Sequence, residues 1–230
     1  MMLYQKFHCW LDVSLDRILH KERKTHFMNT STRRILSWMG ILFFSALISL
    51  HANLLDSLNE TETRALQNGE PVIILTEIEG ATWPKIQIYR KISASPKQVA
   101  DLFTDYENAP TYIPNMLKAE ILGELKEDGT DVKYTVKAPL ISKMSYVVRN
   151  TFKHAGDTYR VDWHLLSSAM AKSSTGSLEV EPLGNGSLIR YTNLAEPFTK
   201  LAAGLKNQAI SEAKTTVEAL SKEAERRAKN

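Results

Sequence analysis

Cysteine is nearly absent, with a single residue, Cys9, in a chain of 230. That excludes a disulfide framework and any multi-cysteine zinc site. Glycine is sparse, and the ten present mark turns; none builds a phosphate-cradling loop. Ser173, Ser174 and Ser177 lack a Gly-x-Ser-x-Gly setting and a nearby histidine, which argues against a serine hydrolase. A basic excess is missing too. Of 29 Lys/Arg and 26 Asp/Glu, seven and three fall in residues 1–52, which leaves 22 against 23 for residues 53–230. So balanced a domain has no basic stripe for phosphates, and no nucleic-acid partner is expected. With 43% hydrophobic and 24% charged residues the chain has the composition of a folded protein.

From Ile35 to Leu50 run sixteen mostly apolar residues without a charge. It falls short of the roughly 20 that a comfortable span requires. Arg33-Arg34 before it and His51-Ala52 after it give the order of a secretory signal, with Ala52 the last residue removed. Met28 begins a compact signal of this kind, so it is a candidate for the true start. No cysteine follows the run, which excludes a lipid-modified N-terminus of the bacterial lipoprotein kind. The alternative is an uncleaved anchor in the inner membrane, which the positive flank fits equally well. The expected organisation is an extension and signal over 1–52 and one exported, periplasmic domain over 53–230.

Within that domain Asn59 and Glu62 cap a short helix to about Gln67. Val72–Glu79 and Lys85–Ile92 are strand-like runs joined through Gly80-Ala81-Thr82-Trp83-Pro84. Ser95-Pro96-Lys97-Gln98 starts a helix that carries Val99, Leu102 and Phe103 on one face and ends near Tyr106. A helical turn follows at Asn108–Ile113. After Pro114 the period becomes two: Leu117/Ala119/Ile121, Val132/Tyr134/Val136, Met144 through Phe152, Val161/Trp163/Leu165, Leu178/Val180 and Ser187–Leu194. Glu196-Pro197 then reads as the start of a helix to about Arg227, with an apolar line at Phe198, Ala202, Leu205, Ala209, Ala213, Thr216, Leu220 and Ala224. The expected fold is α+β: an antiparallel sheet of about seven strands, two short helices and a long C-terminal helix across it.

The segment Ser93-Ala94-Ser95-Pro96, then Val99, Leu102-Phe103-Thr104-Asp105-Tyr106-Glu107-Asn108 and Tyr112-Ile113-Pro114, resembles the N-terminal motif of the START-like, helix-grip superfamily. The similarity extends over about Val72–Ala224 and includes the polyketide cyclase/dehydrase and coenzyme-Q-binding groups. It implies a helix-grip fold whose members bind lipids, quinones, polyketides or hormones, or close aromatic rings. Fold alone does not choose among these.

The residues add one suggestion of their own. Ala202, Ala209 and Ala213 leave little side chain along the middle of the long helix. Facing them are Tyr134, Tyr146, Trp163 and Tyr191. Small residues opposite large amphipathic ones leave room for an apolar cavity with a few polar handles; the alternative is that the rings fill the gap. Arg90 is in phase with Ile86, Ile88 and Ile92 and is a candidate for a ligand headgroup, unless a bulge turns it outward. Asn150 and Asn193 are either satisfied core amides or ligand contacts. Asp162 and His164 share a strand face, as any solvated strand permits. No catalytic residue, metal or cofactor is assigned. The leading expectation is an exported carrier of a hydrophobic small molecule that touches the membrane transiently. A cyclase/dehydrase-type enzyme using Arg90, Tyr134 or Asp162, or an interaction module with a filled core, are the alternatives.

Overall fold

Two capping boxes open the first helices. The Asn59 side chain accepts the Glu62 N–H (3.0 Å) while the Glu62 carboxylate accepts the Asn59 N–H (2.8 Å), and α1 follows over Glu60–Gln67. Ser95 and Gln98 repeat the exchange with Pro96 at the first helical position, opening α2 over Pro96–Thr104. The structure, a computed structural model, describes residues 53–123, 129–138, 141–199 and 204–230. The run Ile35–Leu50, the expected cleavage point and Ala202 lie outside them. Among the described residues no helix is long and apolar enough to cross a membrane.

Among the described residues eight strands form one antiparallel sheet: β1 Val72–Thr76, β2 Lys85–Ile92, β3 Met116–Ile121, β4 Thr130–Ala138, β5 Ile141–Ala155, β6 Thr158–Ser168, β7 Ala171–Leu183 and β8 Gly186–Pro197. Their spatial order is β1-β2-β8-β7-β6-β5-β4-β3. The count is eight rather than about seven because Val72–Thr76 pairs fully with β2 and forms an edge. The helical turn near Asn108 is a 3-10 segment, Tyr106–Thr111.

The long helix α3 spans Lys206–Ala228, some ten residues later than its expected start. Glu196-Pro197 ends β8 instead. Ala171 pairs with Pro197, and the Phe198 N–H donates to the Met170 carbonyl at 2.9 Å. Proline has no N–H and is tolerated at a strand end as well as in the first turn of a helix, so the sequence alone allows both. Phe198 is therefore off the helix and 54% exposed.

The inner face of the sheet carries the main core. Ile86, Ile88 and Ile92 of β2, Leu178 and Val180 of β7 and Ile189 of β8 meet Val99 and Leu102 of α2 and Ala213, Val217, Leu220 and Ala224 of α3. Each large aliphatic buried here contributes about 1.5–3 kcal/mol. The N-terminal segment packs elsewhere, with Leu54, Leu66, Val72, Tyr89 and Leu188 forming a second cluster. Both oxygens of Glu181 accept the Leu54 N–H at 3.0 Å, and Ser57 Oγ lies 2.9 Å from Tyr89 Oη.

An ion cluster fastens the C-terminal end of α3. Glu223 takes bonds from Arg226 and Arg227 at 2.7–2.8 Å, and Arg227 also reaches Asp105 at 3.2 Å. These two guanidinium groups hold the Glu223 carboxyl down to about 2. A carboxyl depressed in the folded state adds stability above its ordinary value and loses it as pH falls toward the depressed one. Both arginines reach solvent, so the contribution is at most about 1 kcal/mol. Glu223→Gln is expected to lower the melting temperature by about 2–4 °C at pH 7. The gap should close as pH is taken from the ordinary carboxylate range down to about 2, as paired melts at several pH values will read.

Candidate ligand cavity

Between α3 and the inner face of the sheet lies a cavity of about 410 Å³. The aromatic rings therefore do not fill the gap under the helix. The volume falls within the range of small-molecule sites, roughly 300–1,000 Å³. The period-two phase of each strand supplies its wall: Tyr134 from β4, Tyr146 and Asn150 from β5, Trp163 from β6, Tyr191 and Asn193 from β8. From α3 come Ala209 and Ala213. Further wall, invisible to strand periodicity, comes from Tyr106 in the 3-10 segment, Tyr112 and Ile113 just after it, and Met170 in the β6–β7 turn.

The rings form two contacting groups. Tyr134 and Tyr146 have centroids 5.5 Å apart; Trp163 lies 5.3 Å from Tyr191 and 6.0 Å from Phe103. Trp163 can lie flat on β7 because residue 176 is glycine. A Cβ at Gly176 would collide with the indole ring and with the Thr192 carbonyl of β8. Between Val147 and Val148 of β5 the register against β6 shifts by one, leaving Leu166 as the extra residue of a bulge in β6; bulges of this kind bend a strand.

The polar inventory is uncharged. Tyr112 Oη donates to the Leu102 carbonyl at 3.0 Å, Ser174 Oγ donates to Asn193 Oδ1 at 3.3 Å, and Asn150 Nδ2 reaches the Thr130 carbonyl at 3.4 Å. Burial pushes the Tyr106 and Tyr146 hydroxyls up to about 12. Tyr191 and Tyr134 rise further, also through burial, with neighbouring phenols adding to the shift. Near neutral pH each phenol is thus a donor and not a base.

Charge is confined to the mouth. Pro114, Asn115, Lys137 and Gln208 are exposed lining residues there. Asn115 adopts φ 64°, a left-handed conformation that asparagine tolerates better than most residues. Its carbonyl accepts the Lys137 N–H at 2.8 Å, and its side chain donates to Glu212 of α3 at 3.2 Å. One residue thus ties β4 to α3.

Arg90 stands apart. Register is continuous through β2, so no bulge turns it outward. It keeps the inner phase but is not a lining residue, because the inner face of β2 is filled by Ile86, Ile88 and Ile92 against α3. Its Nε is buried without a hydrogen-bond partner. On α3, Glu218 is held low chiefly by Lys222, with a smaller pull from Arg90. Asp162 is engaged by Arg160 at 2.6 Å and Lys153 at 3.9 Å, and His164 is exposed, as on a solvated strand.

The family model for polyketide cyclase/dehydrase and lipid transport matches residues 84–226, more than half of the chain. No curated protein matches the chain in sequence. Among solved structures, the STAR-related lipid transfer protein of Xanthomonas axonopodis is similar at 14% identity and a TM-score of 0.60, covering 67% of this chain and 93% of its own. A START superfamily protein of Mycobacterium smegmatis is similar at 16% identity and 0.51, covering 63% and 97%. Human STARD10 is similar at 12% identity and 0.51, covering 71% and 80%. At these identities the likeness is one of fold. A long helix laid over an antiparallel sheet, with a cavity between them and a family match from Pro84 to Arg226, places this chain in the polyketide cyclase/dehydrase and lipid transport family, a START-like helix-grip group.

Proposed function

We propose that the protein is a carrier of the cell envelope, which holds a hydrophobic small molecule beneath α3 and exchanges it in transient contact with a membrane. The observation that carries this reading is the cavity of about 410 Å³, whose inner lining is apolar and aromatic with a few uncharged hydrogen-bonding groups. Such a lining orients a ligand through one or two contacts while the apolar area supplies the affinity. The lipid transfer named for the Xanthomonas relative and the lipid transport in the family description support the same reading. Arg33-Arg34, the apolar run Ile35–Leu50 and Ala52 support export, with the folded domain released into the periplasm from Asn53. An anchor formed by residues 35–50 would present the same domain at the inner membrane.

Native mass spectrometry on protein purified gently from the envelope fraction tests both parts. The expected result is a chain beginning at Asn53 with a non-covalent adduct that is lost on denaturation. A chain retaining residues 35–50 would replace release by anchoring. An empty chain that converts a polyketide-like substrate would overturn the carrier in favour of a cyclase-type enzyme.

A further inference from the structure

Resting on the carrier reading, the cavity also discriminates by charge. The hydroxyls of Tyr106, Tyr146 and Tyr191 and the indole N–H of Trp163 make no hydrogen bond to a described residue. None of them is a sealed atom, since Arg90 Nε is the one buried side-chain polar atom left without a partner among the described residues. All four are donors on side chains that line the cavity, which puts these groups within reach of an occupant.

No cation accompanies them. Among the described lining residues the charged side chains are Lys137, which is exposed and joined to Asn115 only through its backbone N–H, and Glu212, whose carboxylate accepts from the Asn115 side chain. Arg90, whose Nε is buried, is not part of the lining. An anionic headgroup moved into the depth would exchange water for three phenols and an indole with no opposing charge, and the effective penalty for such an ion is several kcal/mol. Phenol hydrogen bonds could in principle offset that cost. The cavity answers for itself: burial there disfavours a phenolate on Tyr146, pushing its hydroxyl up to about 12, and it acts on a buried carboxylate in the same sense. A neutral oxygen acceptor carries no ionic desolvation penalty and accepts from these donors in place of water.

We infer that the ligand is an uncharged apolar molecule bearing carbonyl or ether oxygens, such as an ester, ketone or quinone, and that carboxylate and phosphate amphiphiles are rejected unless protonated.

Trp83 and Trp163 both line the cavity and report occupancy by fluorescence. The purified protein is titrated with methyl decanoate, decanoic acid and an alkyl-substituted benzoquinone between pH 6 and pH 8. The ester and the quinone should bind with an affinity independent of pH. Decanoic acid should bind only in its neutral form and weaken about tenfold per pH unit, roughly a hundredfold over the range. Tyr191→Phe and Tyr146→Phe should each weaken the ester and the quinone about threefold to tenfold, the worth of one hydrogen bond, and leave decane binding unchanged. A purely structural role would move decane as well. Decanoate binding as tight at pH 8 as at pH 6 would overturn the charge discrimination and leave the carrier standing. Absence of binding by all three probes and decane would overturn the carrier reading itself.

Discussion

Gly176→Ala is expected to lower stability by about 3 kcal/mol, the upper end of the usual overpacking penalty, because the new Cβ has no free direction. It would overlap the Trp163 ring on one side and the Thr192 carbonyl on the other, and the second is backbone in the neighbouring strand. A side-chain neighbour could rotate away; a strand carbonyl in register with Gly176–Asn193 pairing can move only with its ladder. For a domain of this size that loss corresponds to a fall in melting temperature of about 6–12 °C. The double variant Gly176→Ala, Trp163→Ala should recover only part, since the carbonyl conflict persists while a cavity is added where the ring had been. A shift under about 2 °C for the single variant would mean that β7 bows outward and the flat seat of Trp163 is not needed. The same substitution should weaken ligand binding, because a displaced indole has Phe103 and Tyr191 at 6.0 and 5.3 Å and otherwise only the cavity to enter.

That pairing of a glycine with a tryptophan was written in the sequence but hard to read. An isolated glycine inside a strand signals a close approach, and Gly176 stands two residues before the inward Leu178. What approaches it is fixed by the β6–β7 register, Trp163 opposite Gly176, which no local pattern reports. Strand faces were legible for the opposite reason. The phase of Val132, Val161, Leu178 and Ile189, all at most 1% exposed, follows from period two alone. The same phase turns Tyr134, Tyr146, Trp163 and Tyr191 toward the cavity. Period two says which face a residue occupies, and not which stretch of that face is filled. Arg90 illustrates the limit: its phase is inward, yet the helix seated on β2 makes that stretch core. The start of α3 was illegible because Pro197 suits a strand end as well as a first helical turn, and the contact that decides it comes from Ala171 across the sheet. The apolar line along α3 likewise missed Val217, which is 2% exposed, since crossing angle and not spacing selects between adjacent stripes.

One turn of α3 separates two alanines that should respond in opposite ways to the same change. Ala209 is half-buried and borders the cavity in the first turns of the helix, with its N–H bonded to the Leu205 carbonyl at 3.0 Å. Ala209→Phe should direct its ring into open volume, so the melting temperature should stay within about 2 °C, as for substitutions that create neither void nor clash. Ligand binding should fall by at least about thirtyfold, because the ring occupies the ligand's place and any occupant must expel it. Ala213 is 5% exposed and belongs to the packed cluster with Leu102, Val217 and Leu220 as well as to the cavity edge. Ala213→Phe should overpack that cluster at about 1–3 kcal/mol, a loss of roughly 2–12 °C. Melting curves of the ligand-free variants, read beside fluorescence titrations with methyl decanoate, separate the cases. If Ala209→Phe melts as low as Ala213→Phe, the space beneath the first turns of α3 is closed in solution and binding must occur elsewhere. If both retain stability and only the variant at 209 loses the ligand, the cavity is real and continues past Ala213 toward the core.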